Sequence, residues 1–252
     1  MSSIIDDIYD VYGTPNELQL FSNAIERWDA TAVNELPEYM KICYMALLDV
    51  YVEMEKEFAE TGELYRVDYA KTEMKSFVRT HLEEDKWFRD RYTPKFEEYM
   101  KLANETSGVR LLVTTSLVGM QEDFVTKEAF DWVSKETLII QAASIICRLM
   151  DDIAGHEFEQ QRGHLASSVE CYMNQYKKSK EDTYKELQER VINAWKDLNQ
   201  ECSKPLFPMP ILTRALNFSR IMDTLYVDGD PYTHSKTKMK DYITSLFVDP
   251  VP

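Results

Sequence analysis

Cysteine, glycine, proline and positive charge are all scarce in this sequence, and each shortage excludes something. The four cysteines, Cys43, Cys147, Cys171 and Cys202, lie far apart and form no CxxC pair. That removes the usual zinc-ribbon spacing and offers no disulfide framework, which fits a reducing, intracellular setting. Seven glycines and nine prolines are too little turn chemistry for a many-stranded sandwich or barrel, so a mostly helical chain is expected. Only 29 Lys+Arg stand against 44 Asp+Glu, a net charge of −15 with no basic stripe. Nucleic acid is therefore excluded as a partner, and an anionic membrane surface is disfavoured. The longest nearly uncharged run, Leu138 to Cys147, is about half of what a bilayer span requires, and no signal-peptide pattern opens the sequence. The expectation is a soluble protein with no membrane span. Apolar material, by contrast, is ample: 44% hydrophobic and 12% aromatic residues can bury a substantial core within one domain covering residues 1–252.

Thr14-Pro15-Asn16-Glu17 reads as a helix start, with Thr14 as N-cap, Pro15 at the first helical position and Glu17 closing a capping box, the helix running towards Trp28. From Pro37, the residues Met40, Tyr44, Leu47, Leu48, Tyr51, Met54 and Phe58 recur at three- and four-residue steps, an amphipathic helix that ends near Gly62. A third helix, from about Val67 to Phe88, carries charges read as a solvated face. Tyr92-Thr93-Pro94 then breaks the chain before a helix from Lys95 to Leu102. Thr106, Ser107 and Gly108 stand between two helical patterns and predict a break or kink within Asn104 to Val109. After Gly119 a short helix is expected over Lys127 to Val133. The longest is predicted from Lys135 to about Tyr176, apolar nearly all round from Leu138 to Met150 and hence passing through the interior. Glu181 to Gln200 is amphipathic, Lys204 to Pro210 is a Pro-rich connection, and Ile211 to Tyr226 is helical again. A polar loop, Asp228 to Tyr232, leads to a last helix from about Lys236 to Val248. The fold class expected is all-α.

Two acidic clusters carry the candidate chemistry. Asp6, Asp7 and Asp10 form the pattern DDxxD. One helical turn separates Asp6 from Asp10, so the two share a face and can coordinate a divalent metal, with Asp7 on the flank. Hard oxygen ligands suit Mg2+. A solvated acidic patch is the alternative, although Ile4, Ile5, Ile8 and Tyr9 draw these carboxylates towards a core. In the second cluster, Asp151, Gly155 and Glu159 recur every four residues and line one face, making Asp151 and Glu159 metal ligands two turns apart. Gly155 supplies no side-chain ligand, so water would complete the shell. Arg148, one turn earlier in apolar surroundings, needs an anionic partner, either a diphosphate or the neighbouring carboxylates. No second histidine follows His156-Glu157 at zinc-protease spacing, no Ser/His/Asp or Cys/His triad can be argued, and no glycine-rich phosphate loop is present. Cys147 and Cys171 are read as packing residues, and the tryptophans as core.

DDIYD at Asp6 to Asp10, together with DDIAGHEFE at Asp151 to Glu159, resembles the two metal motifs of plant class I terpene synthases. The resemblance runs on, in that family's order, through Asp10 to Thr14 (DVYGT), Ala24 to Asp29 (AIERWD), Leu36 to Lys41 (LPEYMK), Ile146-Cys147-Arg148, Gln161-Arg162-Gly163, Ala194 to Asn199 (AWKDLN) and Tyr232-Thr233-His234. It implies the class I terpenoid synthase helical bundle and a sesquiterpene synthase, a lyase that ionises and cyclises farnesyl diphosphate with release of diphosphate. A three-ion Mg2+ cluster, or Mn2+ in its place, would be held by Asp6, Asp7, Asp10, Asp151 and Glu159. Gly155 stands at the middle position, where that family usually has Ser or Thr. Arg148 matches the arginine that grips diphosphate, and Thr106, Ser107 and Gly108 resemble the helix break whose backbone faces the carbocation. Tyr226, Asp230 and Tyr232 resemble residues of the loop that caps the filled site, with Pro231 where many relatives carry glycine. An apolar, aromatic pocket would exclude water and stabilise the cation. Complete relatives have an N-terminal helical domain and further helices before the DDxxD helix. The resemblance therefore implies a catalytic domain incomplete at its N-terminal side, located in the cytoplasm, with truncation leaving a surface for self-association. Three other readings stay open: an inactive truncated synthase that only binds metal and diphosphate or associates with a partner, a monoterpene synthase, and a chain-elongating prenyltransferase. The last expects a second DDxxD, whose final Asp would fall at Gly155.

Overall fold

The computed structural model describes residues 1–120, 123–135, 137–162, 166–226, 229–230 and 238–250. Among these residues all regular structure is helical, as the shortage of turn formers led one to expect. A short α1 (Ser2–Asp7) passes directly into a wider π-turn over Ile8–Tyr12, closed by the Gly13 N–H donating to the Ile8 carbonyl at 2.8 Å. Gly13 makes this possible by close approach. A Cβ there would lie 2.2 Å from Leu18 Cδ2 and 2.8 Å from the Ile8 oxygen.

Helix α2 (Pro15–Arg27) begins with the expected capping box, in which the Thr14 N–H and hydroxyl both donate to Glu17 at 2.9 and 2.7 Å. It ends at Trp28 in the left-handed conformation. A 3-10 turn over Ala30–Glu35, capped by Asp29, was not anticipated. The next helix, α3 (Glu38–Phe58), buries the stripe read from the sequence, and its Tyr44 hydroxyl donates to the carbonyls of Ala24 and Asp29. Each fully buried Leu, Ile or Phe of this kind is worth about 1.5–3 kcal/mol against exposure, and Phe21, Ile25, Met40 and Leu47 are all fully buried.

Helix α4 (Tyr65–Arg89) packs on α2 and on the two helices that follow, α5 (Phe96–Thr106) and α6 (Val109–Val118). The predicted break separates α5 from α6. Gly108 sits there at φ 72°, a conformation that glycine adopts without steric cost. Its Cβ position is crowded by the Phe77 ring at 3.3 Å. After α7 (Lys127–Val133) comes α8 (Leu138–Arg162), the interior helix, packed by α5, α6 and later helices, with Ile139, Ala143, Ile146 and Leu149 fully buried.

The single long helix expected from Lys135 to Tyr176 is a pair. Helix α8 ends at Arg162, and α9 (Ser168–Tyr176) restarts with its own cap. Ser167 N–H and hydroxyl donate to Glu170 at 3.0 and 2.7 Å, and the Ser168 N–H donates to Asp152 of α8 at 2.9 Å. A buried carboxylate on the free amides of a helix start is a strong stop signal for the preceding helix. The remaining helices are α10 (Lys180–Ser203) and α11 (Met209–Tyr226), both packed on α8, and the exposed α12 (Lys238–Phe247).

Candidate active site

Side chains from α1, the π-turn, α4, the α5–α6 junction, α8 and α11 surround an open cavity of about 590 Å3. That is the size of an organic ligand site. On the acidic wall stand Asp6, Asp7 and Asp10 from the N-terminal end, with Asp151 and Glu159 from α8. Arg148, Tyr226, Asp230, Thr106, Ser107 and Gly108 also line it, so the structure gathers eleven of the thirteen sequence candidates around one space. Gly155 is not on the cavity wall. It is buried beneath Glu159, whose Oε1 lies 3.1 Å from where a Cβ would be. Tyr232 lies outside the described residues.

The acids repel one another. Asp10 is pushed up to about 8 by its enclosure in the site and by the charges of Asp6 and Glu84, although cavity water still reaches it. Glu159 is pushed up to about 9 by burial, with Asp152 and Asp151 adding to the rise. Asp151 rises to about 6 through burial, against the opposing pull of Arg148 and a hydrogen bond from Tyr226. A divalent cation among these carboxyls would relieve the repulsion that raises them. Among the described residues no three His, Cys, Asp or Glu side chains converge on a point that a bare ion would fill. Magnesium suits such an arrangement: it keeps several waters and takes one or two carboxylates together with ligand phosphates.

Arg148 stands against the neighbouring carboxylates, one of the two partners expected of it. Its Nη1 lies 3.4 Å from Asp151 and from Asp152, long for charge-assisted bonds, and its buried Nε has no hydrogen-bond partner. Asp152 serves as a strut, accepting from the Tyr99 hydroxyl and the Ser168 N–H at 2.9 Å each. His156 is placed against Glu170 at 2.8 Å, and it does not line the cavity. The rest of the lining includes the apolar side chains Phe77, Leu112, Phe158, Phe218 and Met222. Cys147, read as packing, also lines the space, with its thiol 3.9 Å from the Ser107 carbonyl.

Residues 1–197 match the terpene synthase family, metal binding domain. The chain belongs to the terpene synthase family. Over its whole length it is 55% identical to valencene synthase of Vitis vinifera and 53% identical to the (-)-germacrene D synthase of the same plant. Each match takes in 45% of the relative, so the chain spans less than half the length of the curated relatives it matches. A solved structure of isoprene synthase from grey poplar, in complex with three Mg2+ ions and dimethylallyl-S-thiolodiphosphate, superposes on all of this chain and 48% of its own, with a TM-score of 0.89 and 33% identity. The helical bundle expected from the resemblance is thus the fold observed.

Several residues at or behind the cavity wall escaped the sequence reading. Phe77, His81, Glu84 and Phe88 fall at i, i+4, i+7 and i+11 of α4, one helical face, of which Phe77 and Phe88 line the cavity and His81 bonds Asp6. Glu84 presses on both Asp10 and Arg148. The spacing was available in the sequence, hidden among charges read as solvated. Among the described residues no helix is long and apolar enough to cross a membrane.

Proposed function

We propose that this chain is the ionising and cyclising part of a sesquiterpene synthase, converting farnesyl diphosphate to a cyclic sesquiterpene with Mg2+. The observation that carries this reading is that five carboxyl groups from the N-terminal end and α8 line one cavity together with aromatic side chains. Asp6, Asp7, Asp10, Asp151 and Glu159 would hold the metal. When bound, it supplies charge neutralisation that makes diphosphate a leaving group. Arg148, on the cavity wall, would meet a phosphate oxygen with its guanidinium, and the Tyr226 hydroxyl keeps Asp151 ordered.

The carbocation left behind would face the α5–α6 break. Thr106 and Ser107 bring the negative end of the α5 dipole to the cavity wall, which favours positive charge there. Aromatic faces of Phe77 and Phe158 add cation–π attraction and exclude water. Burial pushes the Cys147 thiol up to about 12. It stays protonated and does not trap the cation as a nucleophile. Asp230, and Tyr232 outside the described residues, are proposed to close the site once filled.

The test is Mg2+-dependent turnover of farnesyl and geranyl diphosphates by this chain, with product analysis. A cyclic sesquiterpene from farnesyl diphosphate, abolished by Asp6→Ala with Asp7→Ala, is the expected result. Preference for geranyl diphosphate would move the assignment to monoterpenes. A folded chain that binds metal and inorganic pyrophosphate without turnover would support the second reading, a binding-only chain.

A further inference from the structure

His81 is buried to 2% exposure in the middle of α4, and the chemistry above makes no use of it. A polar ring so placed is costly unless its nitrogens are bonded. Nδ1 lies 2.8 Å from the Phe77 carbonyl oxygen and Nε2 lies 2.9 Å from Oδ1 of Asp6, a residue 75 positions earlier in the chain, so both nitrogens face acceptors and both donate when the ring is the imidazolium. Two rings hold the imidazole in that attitude: Phe77 at 4.1 Å between centroids and Tyr9 at 5.8 Å. Tyr9 is itself fixed by a 2.6 Å hydrogen bond between its hydroxyl and that of Ser22. The result is a rigid post, built on a 25-residue helix, that reaches a carboxylate on a six-residue helix whose side chain is 44% exposed.

We propose that His81 is a positioning residue for divalent-cation binding: it fixes the Asp6 carboxylate on the acidic wall and thereby sets the affinity of that wall for the ion. This rests on the reading of Asp6 as a metal ligand. Left to itself, an exposed carboxylate on a short helix samples several rotamers and must be ordered when the ion arrives. Groups that hydrogen-bond to metal ligands typically contribute 10- to 100-fold in affinity. An aliphatic or aromatic residue at position 81 would fill the same buried face, but it could not hold Asp6.

Mn2+ binding, followed by the electron paramagnetic resonance signal of the free ion with and without inorganic pyrophosphate, tests this directly and needs no turnover. His81→Phe keeps the packing against Phe77 and Tyr9 and removes the donor. His81→Gln restores a donor of similar reach, and His81→Asn can bond the Phe77 carbonyl but is too short for Asp6. The expected result is about a tenfold loss of Mn2+ affinity in His81→Phe, partial recovery in His81→Gln, and no further loss when His81→Phe is added to Asp6→Asn. Circular dichroism and melting check the fold. If the phenylalanine variant does not fold, the same comparison is made between the asparagine and glutamine variants. Wild-type affinity in His81→Phe or His81→Asn overturns the proposal, as does an equal loss in the Asp6→Asn background, which marks a general structural effect. A wild-type chain that binds no Mn2+, or an Asp6→Asn variant that binds it undiminished, overturns the assignment of Asp6 itself and the role of His81 with it.

Discussion

The two acidic ends of the cavity solve the same problem in different ways. The carboxylates of α8 stand on a central helix, packed on several sides, with Arg148, Tyr226, Tyr99 and the α9 amides arranged to absorb their charge. Those of α1 and the π-turn stand on a short, largely exposed stretch, with His81 holding Asp6. Acids at the first end are built into the fold, so altering them disturbs stability as well as chemistry. At the second end the carboxylates have fewer buried partners, His81 on Asp6 being the chief one, so altering them costs less stability.

The largest stability effect should fall on Asp152. Replacing it with Ala strands the Tyr99 hydroxyl, the Ser168 N–H and one side of Arg148 in a buried place, which should destabilise the chain by about 3 kcal/mol. A thermal melt should show it as a drop of several degrees. The Asp6→Ala, Asp7→Ala double variant should cost less, about 1 kcal/mol, because His81 Nε2 is the one buried group it deprives of a partner. Equal melting shifts from the two ends would remove the distinction.

Next in size is Gly13→Ala. The added methyl meets Leu18 and the Ile8 carbonyl below contact distance, and overpacking of this kind costs about 1–3 kcal/mol. The strain should release the π-turn, so Mn2+ affinity should fall while most helical circular dichroism remains. Retained affinity would show that the turn does not position Asp10.

A smaller effect links pH to metal. Asp10 and Glu159 are raised to about 8 and 9 in the folded chain, above their values when unfolded, so the folded state binds more protons. Stability from these groups is fully present below about pH 4 and is lost progressively as pH rises through 8 to 9. The metal-free melting temperature should therefore decline from about pH 4 to about pH 9 and level off above it, and Mg2+ should raise it more at pH 8.5 than at pH 6, with protons released on binding. Glu159→Gln should flatten the decline. A metal-induced shift that ignores pH would mean the carboxyls are not the ligands.

Sequence pattern revealed whatever depends on local spacing. The DDxxD turn, the Thr14 capping box and the Gly108 break were all visible because each is decided within a few residues. The π-turn was not, since what permits it is the approach of Leu18 to a glycine. The end of α8 is an intermediate case. Ser167-Ser168-Val169-Glu170 is a capping-box pattern present in the sequence, but it sits inside an apparent helical run, and the group that completes the stop is Asp152, a turn before Gly155 on the other helix. His81 and Glu84 were overlooked because a charge-rich helix face reads as wet until a neighbouring element is laid against it. The eleven candidates lining the cavity were found by motif, whereas its apolar lining came from helices whose mutual placement no spacing encodes.

Gly155 offers the finest test of the contrast, because it lies on the rigid end yet contributes no side chain. A helical glycine costs about 1 kcal/mol relative to alanine, so Gly155→Ala should gain some of that, less the cost of moving Glu159 from the 3.1 Å approach. The carboxylate is the free end of a side chain that is only half-buried, so it can yield. Gly155→Ser would add a hydroxyl at the same place, next to the Glu159 oxygen, where it can donate to the carboxylate or share an ion with it. Melting temperature should rise slightly in both variants, while Mn2+ affinity should change by a few-fold only in the serine variant. If alanine and serine shift affinity alike, the change comes from displacing Glu159, and the hydroxyl adds no ligand of its own.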